Sequence, residues 1–162
     1  MFNIEDIRAQ WAKQRPDIDT APMATIGRVV RLSALLCEQM SKTHEKHGLN
    51  SASFDVLATL LRSGPPYALS PNDLLATMMV TSGTMTNRID QLEKDGLVER
   101  VRNPKDRRSV FVQLTETGRK IIDAAVTDHV MVQRNLVEGL SDEDLATLNG
   151  ILDKGLAALS QD

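Results

Sequence analysis

The sequence predicts a mainly α-helical fold with one small β-hairpin, and three observations carry that expectation. Aromatic residues make up only 3% of the chain, so a core must be built from Leu, Val, Ile, Met and Ala, a set rich in good helix formers. Apolar residues recur at helical spacing through most of the length. The period switches to two in one place only, in "LVERV" and "SVFVQLT", which flank "RNPKDRR". Two alternating, β-branched runs around such a turn read as a hairpin. At 162 residues the chain is long enough for one domain with a real core.

Taken in order, Ile4, Ile7 and Trp11 follow helical spacing, so residues 3–14 read as a short amphipathic helix. About 12 residues is marginal for an isolated helix, so this one must dock. "RPDIDTAP" (Arg15–Pro22) is a linker, and a long helical pattern then runs from Pro22 to His47 and stops at Gly48. "LNSASFDVLATLLRSG" is a further helix, with Asn50 as N-cap and Gly64 past its end. Pro65 and Pro66 break the chain, and "YAL" suits a very short strand. In "LSPNDLLATMM", Ser70 is a good N-cap and Pro71 fits the first helical turn. The next helix opens at Thr81 or Ser82 and runs to Asp95, with Gly96 as its stop. After the hairpin, Thr115 caps a long helix to about Glu138. "LSDEDLATLNGILDKGLAAL" closes the chain as a helix with a capping-box-like start at Ser141 and Asp144. Neither internal repeats nor low-complexity segments are present. The expected architecture is a winged helix-turn-helix over residues 49–115, framed by helices from residues 22–48 and 116–162, with residues 1–21 as an N-terminal extension and linker.

Charge is unevenly spread along this acidic chain, whose formal net charge is −3. Residues 97–120 hold seven cations against three anions, whereas residues 121–162 hold two against eight. Arg100, Arg102, Lys105, Arg107 and Arg108 crowd one short stretch. An electropositive segment in an acidic frame is a footprint for a polyanion. A narrow, charged hairpin tip follows a phosphate backbone or enters a minor groove; the bland alternative is a solvated turn. The preceding helix favours the first reading. On a helical wheel Met85, Ile89 and Leu92 share the inward face. Gly83, Thr84, Asn87 and Gln91 fall on the opposite or lateral faces, with Thr86 at the margin. Short, uncharged hydrogen-bonding side chains near a helix N-terminus suit a helix that reads base edges in a major groove. An ordinary polar surface helix is the alternative.

"DRRSVFVQLTETG" resembles the wing signature of the MarR family of winged-helix transcription regulators, Asp-x-Arg-x-x-x-Val-x-Leu-Thr-x-x-Gly. Asp106, Arg108, Val112, Leu114, Thr115 and Gly118 fill it. "TSGTMTNRIDQLEKDGLVER" is similar to the family's recognition helix and first wing strand. The resemblance covers about residues 22–160; one departure is the turn "MMVT", where many members have a Gly. It implies a homodimer whose terminal helices interlock, with two winged helices straddling a pseudo-palindromic operator in double-stranded DNA. The apolar stripe Leu140, Leu145, Leu148, Leu152, Leu156 and Leu159 agrees with that frame, although an intramolecular core would use some of the same residues. On this reading Ser82, Thr84, Thr86, Asn87 and Gln91 face DNA. Arg108, held by Asp106, enters the minor groove, and Lys105 and Arg107 meet phosphates.

"QWAKQRPDID", "FDVL", "MTNRID" and "LVER" together resemble the urate-responsive branch of the family (the HucR and PecS type). Carried over residue by residue, Trp11 covers a purine ring, Asp55 reads its edge, and Arg88 and Arg100 meet its anionic face. Arg88 sits at the margin of an inward helix face, where an Arg is costly unless paired, and Asp55 is the expected partner. The plainer alternatives are a Trp11 that only anchors its helix, a structural Asp55–Arg88 ion pair, and an Arg100 that touches phosphate. The implied protein is a repressor released from DNA by urate or a related planar anion; a phenolic acid, a metal or thiol oxidation is the alternative signal. His44 and His47 have the i, i+3 spacing of half a metal site, but surface helix histidines are commoner. Cys37 has no cationic neighbour on its helix to activate it and is expected as a small core residue.

The enzyme class is disfavoured. The chain has no Gly-rich phosphate loop, nucleophile elbow or zinc-protease helix motif, and no cofactor is expected. A protein-interaction module that does not bind DNA is the serious rival. No apolar run approaches the roughly 18 residues of a membrane span, no signal-peptide pattern opens the chain, and a lone Cys suits a reducing cytoplasm.

Overall fold

The structure, a computed structural model, describes residues 3–78, 81–102 and 110–160. Two helices, α1 (Ile4–Gln14) and α2 (Ala21–Glu45), precede the central unit. That unit comprises α3 (Ser51–Arg62), β1 (Ala68–Leu69), α4 (Pro71–Thr77), α5 (Ser82–Lys94), β2 (Val98–Arg102) and β3 (Val110–Leu114). Two further helices, α6 (Glu116–Val137) and α7 (Asp142–Leu159), follow it. The expected helix starts are present as caps. Asn50 accepts from the Ser53 N–H, Thr81 from the Thr84 N–H and Thr115 from the Gly118 N–H. Ser70 with Asp73, and Ser141 with Asp144, form complete capping boxes. Each satisfies backbone donors that a helix start otherwise leaves open.

The sheet is antiparallel in the order β1-β3-β2. Val98 pairs with Leu114 and Arg100 with Val112, while the short β1 adds Leu69 opposite Val112. In the core, Val56, Leu57 and Leu60 of α3 meet Leu74 of α4, Met85, Ile89 and Leu92 of α5, and Ile122 of α6. Full burial of such a side chain contributes about 1.5–3 kcal/mol. The inward face of α5 is therefore the one the wheel predicts, at 1%, 2% and 1% exposure for Met85, Ile89 and Leu92.

The outer helices behave differently. No residue of α1 or α7 is buried, and Ile26, Val29 and Val30 of α2, Met131 of α6, and Ile151, Leu156 and Leu159 of α7 are exposed. Cys37, expected in the core, is exposed on α2. Its apolar helix carries only Ala24, Thr43 and His44 as buried residues, and a periodic pattern cannot say which of two apolar faces looks inward. No helix among the described residues is long and apolar enough to cross a membrane.

Candidate nucleic-acid interface and ligand cleft

Helix α5 presents two faces with different tasks. Packing of Met85, Ile89 and Leu92 into the core fixes its rotation, so Ser82, Thr84, Thr86, Asn87 and Gln91 are all exposed on the other side. Not all of these groups are equally free. The Thr86 hydroxyl donates to the Ser82 carbonyl at 3.1 Å, Thr84 and Thr81 share a hydrogen bond between hydroxyls at 2.9 Å, and the Gln91 amide donates to Asp95 at 2.9 Å. Asn87 makes no side-chain hydrogen bond among the described residues, so both its donor and its acceptor are open. It borders a shallow hollow beside Asn50 and Ser53 at the start of α3.

Arg100 is a strut between this helix and the first wing strand. Its guanidinium bonds to Asp90 and Glu93 of α5, and its N–H donates to Glu93 at 3.2 Å. The hydrogen bond to Asp90, with the charge of Glu93, raises its pKa further above the ordinary arginine value. Lys105, Asp106, Arg107 and Arg108 fall in residues 103–109 and lie outside the described residues, as do Met79 and Val80 of the turn.

Behind α5 lies a cleft of about 500 Å³, lined by Asp55, Ala58, Thr59 and Arg62 of α3, Thr77 and Met78 at the end of α4, and Arg88 of α5. That is within the usual size for a small-ligand pocket, about 300–1,000 Å³. Asp55 and Arg88 thus share one space, but the expected ion pair between them is not formed. The cause is geometric: Asp55 is exposed on α3, and the cleft itself separates the two walls. Trp11 lies elsewhere in its own chain. It stands 41% exposed over a small cavity between α1 and α2, with Ile4, Ile7, Met23 and Gly27. Of the four residues expected around one ligand, a single chain brings together Asp55 and Arg88. Arg100 and Trp11 are engaged at other places.

His44 and His47 have partners that the sequence did not suggest. His44 is 3% exposed, which corrects its reading as a surface residue. It stacks on Phe54 at 3.9 Å between ring centroids, and its Nε2 lies 3.1 Å from Nδ1 of His129. His47 meets Asp128 at 2.9 Å. Burial lowers the pKa of both His44 and His129, and their mutual repulsion lowers that of His44 further, with Asp55 opposing. No group of three His, Cys, Asp or Glu among the described residues is arranged to hold a metal ion.

Residues 47–109 match the model of the MarR family. The chain is similar to the HTH-type transcriptional regulator PecS of Dickeya dadantii, 38% identical over 153 residues, which span 94% of this chain and 92% of that one. The chain belongs to the MarR family. It is a DNA-binding transcriptional regulator, not an enzyme. Among solved structures it resembles a mutant MarR from E. coli complexed with operator DNA, at 25% identity and a TM-score of 0.72, over 85% of this chain and 97% of that one. AbsC, a MarR family regulator from Streptomyces coelicolor, shares the fold at 23% identity and a TM-score of 0.79, over 90% of this chain and 98% of that one.

Membership gives the MarR wing signature a physical meaning in this chain. Leu114 is core. The Thr115 hydroxyl accepts from the Gly118 N–H at 2.9 Å and donates to the Gly96 carbonyl at 2.8 Å, which ties the start of α6 to the turn before β2. Gly118 is required because any Cβ there would overlap the Leu97 carbonyl oxygen. The last part of the signature therefore holds the wing's base, while its Asp106 and Arg108 lie outside the described residues.

The residues that sequence reasoning passed over are His129, Thr59, Arg62 and Thr77. His129 meets His44 across 85 positions of sequence, a separation that no local pattern signals. The other three share a wall only because α3 and α4 pack side by side.

Proposed function

We propose that this MarR family regulator acts as a homodimeric repressor, and that a planar anion such as urate or a related purine releases it from a pseudo-palindromic operator. The observation that carries this reading is the double duty of α5. Arg88 lines the cleft from the same helix that exposes Asn87 and Gln91. A ligand that bridges Asp55 and Arg88 pulls on the helix whose other face meets the major groove. Because the two helices of a dimer must match half-sites about 34 Å apart, a small shift weakens binding. A coupling of ~1–3 kcal/mol changes affinity about 5–150-fold, so the demand on the cleft is modest.

Three further points support the reading. The apolar residues left open on α2, α6 and α7 suit a second copy of the chain, since an isologous interface uses one patch twice. The basic stretch of the sequence with Lys105, Arg107 and Arg108, where Asp106 is the expected partner of Arg108, suits phosphates and a minor groove. A solved relative of similar fold is complexed with operator DNA.

The test is binding of the purified protein to DNA upstream of its own gene, at fixed salt, titrated with urate. Release by urate is the expected result, and Asp55→Asn is expected to keep DNA binding while blunting that release. DNA binding that urate leaves intact would remove urate as effector. An unaltered response in Asp55→Asn would remove Asp55 from the site.

A further inference from the structure

We infer that Thr59 and Arg62 set the specificity of the Asp55–Arg88 cleft, and that the cleft selects a compact anion with a hydrogen-bond donor edge and an acceptor edge. This rests on the effector reading above and adds to it the residues that read the ligand's shape. Asp55, Thr59 and Arg62 follow one another at i, i+4 and i+7 along α3. They form a row about 10 Å long on one helix face, at 1.5 Å rise per residue. The row offers an acceptor, then a hydroxyl, then a cation. Arg88 faces it from α5 and Thr77 from the end of α4.

Thr59 is the residue that points to a ligand. It is 6% exposed, yet its hydroxyl makes no hydrogen bond among the described residues. Thr43, Thr77, Thr86 and Thr127 donate to the carbonyl four residues back, and helical threonines that make no such bond, among them Thr25, Thr117 and Thr147, are exposed to water, which Thr59 is not. No buried side-chain polar atom among the described residues is sealed off without a partner, so the small open part of Thr59 includes its hydroxyl, and Thr59 opens on the cleft. Buried hydroxyls are ordinarily paired. One left open beside a cavity of ligand size is a binding group in waiting.

The cations support the same conclusion. Arg8, Arg15, Arg28, Arg100 and Arg119 all pair with carboxylates. Arg31, Arg62, Arg88, Arg102 and Arg134 form no ion pair among the described residues, and of these Arg62 and Arg88 line the cleft, Arg88 reaching also the hollow beside Asn87. With Asp55 the lining carries one net positive charge, which favours an anion. Asp55 accepts hydrogen bonds only, so the ligand must also bring donors. A purine anion with ring N–H groups on one edge and carbonyl oxygens on the other meets both demands. Salicylate, whose one hydroxyl is engaged by its own carboxylate, has no free donor edge for Asp55 and meets mainly the cationic side.

The experiment is calorimetric titration of the full-length protein with urate and with salicylate, alongside thermal unfolding without ligand. Thr59→Val is expected to bind urate about three- to tenfold more weakly, the effect of one neutral hydrogen bond, while unfolding no earlier than wild type. Thr59→Ser is expected to restore binding. Arg62→Gln is expected to lose about tenfold at low salt, and less at high salt because the side chain is exposed and screened. Wild type is expected to prefer urate to salicylate. If Thr59→Val and Arg62→Gln bind urate as wild type does while Asp55→Asn does not, this inference falls and the effector reading stands. If wild type binds no urate, the effector reading falls and takes this inference with it.

Discussion

The winged helix-turn-helix and the helices around it are built from the same apolar residue types, yet they end in opposite states. In the central unit Val56, Leu57, Leu60 and Leu74 are 0% exposed. In the outer helices Ile26 is 61% exposed, Leu156 64% and Leu159 82%. The first group closes a core within one chain. The second group has no core to close, because α7 lies clear of the central unit and α2 turns most of its apolar surface away from it. The difference teaches that an apolar stripe signals burial without saying in whose company. It also separates two kinds of packing: the central unit closes a core with Ile122 of α6, whereas the outer helices leave apolar faces open within the chain.

The sharpest way to break the comparison is inside the reading unit. Gly118→Ala forces a Cβ onto the Leu97 carbonyl, where backbone cannot yield cheaply. The expected loss is about 3 kcal/mol, or about 6–12 °C in Tm, and an unchanged Tm would show that the base of the wing has slack. Next comes the frame. Leu152→Glu with Leu156→Glu places two carboxylates on the open face of α7, so the proposed dimer should weaken at least about a hundredfold by sedimentation. The helical circular dichroism of the central unit should survive. A doubly substituted protein that remains dimeric would move the interface to other helices.

Smaller effects test the reading surface itself. Arg108→Ala is expected to weaken binding about tenfold on every DNA sequence and to lower the salt slope by about one. Asn87→Ala should cost ~1–3 kcal/mol of discrimination at one base position while leaving the salt slope alone. Identical salt dependence in Arg108→Ala and wild type would show that Arg108 does not touch phosphate.

The smallest expected effect lies at the junction of the two regions, where His44 of α2 and His129 of α6 share a hydrogen bond beside Phe54. Burial first, and for His44 the nearby His129, hold both rings below the ordinary value of 6.5. Below about pH 6.5 the unfolded chain therefore takes up protons that the folded chain resists. Stability should be full above that pH and should fall as pH drops through the depressed folded-state values. Thermal melts from pH 7.5 to 5.5 should show the decline, and His129→Gln should flatten it.

Local chemistry made much of this protein legible in one dimension. The caps at Asn50, Ser70, Thr81, Thr115 and Ser141, the inward face of α5 and the alternation of the hairpin each depend on residues within about four positions of one another. The sequence carried them in full, together with the family signature they compose. It also put Asp55 and Arg88 in one site, and both line the cleft, although without the expected ion pair. What it could not carry were relations across space. That Asp55 and Arg88 line one cleft without pairing depends on how α3 and α5 pack. The capture of Arg100 by Asp90 and Glu93 depends on how β2 leaves α5. The distance of Trp11 from the cleft depends on where α1 docks, and the pairing of His44 with His129 on the packing of α2 against α6. Helix periodicity determined that each helix has an apolar face; only tertiary packing decided which faces the chain buries by itself, because α3, α4, α5 and part of α6 close on the sheet while no residue of α1 or α7 is buried.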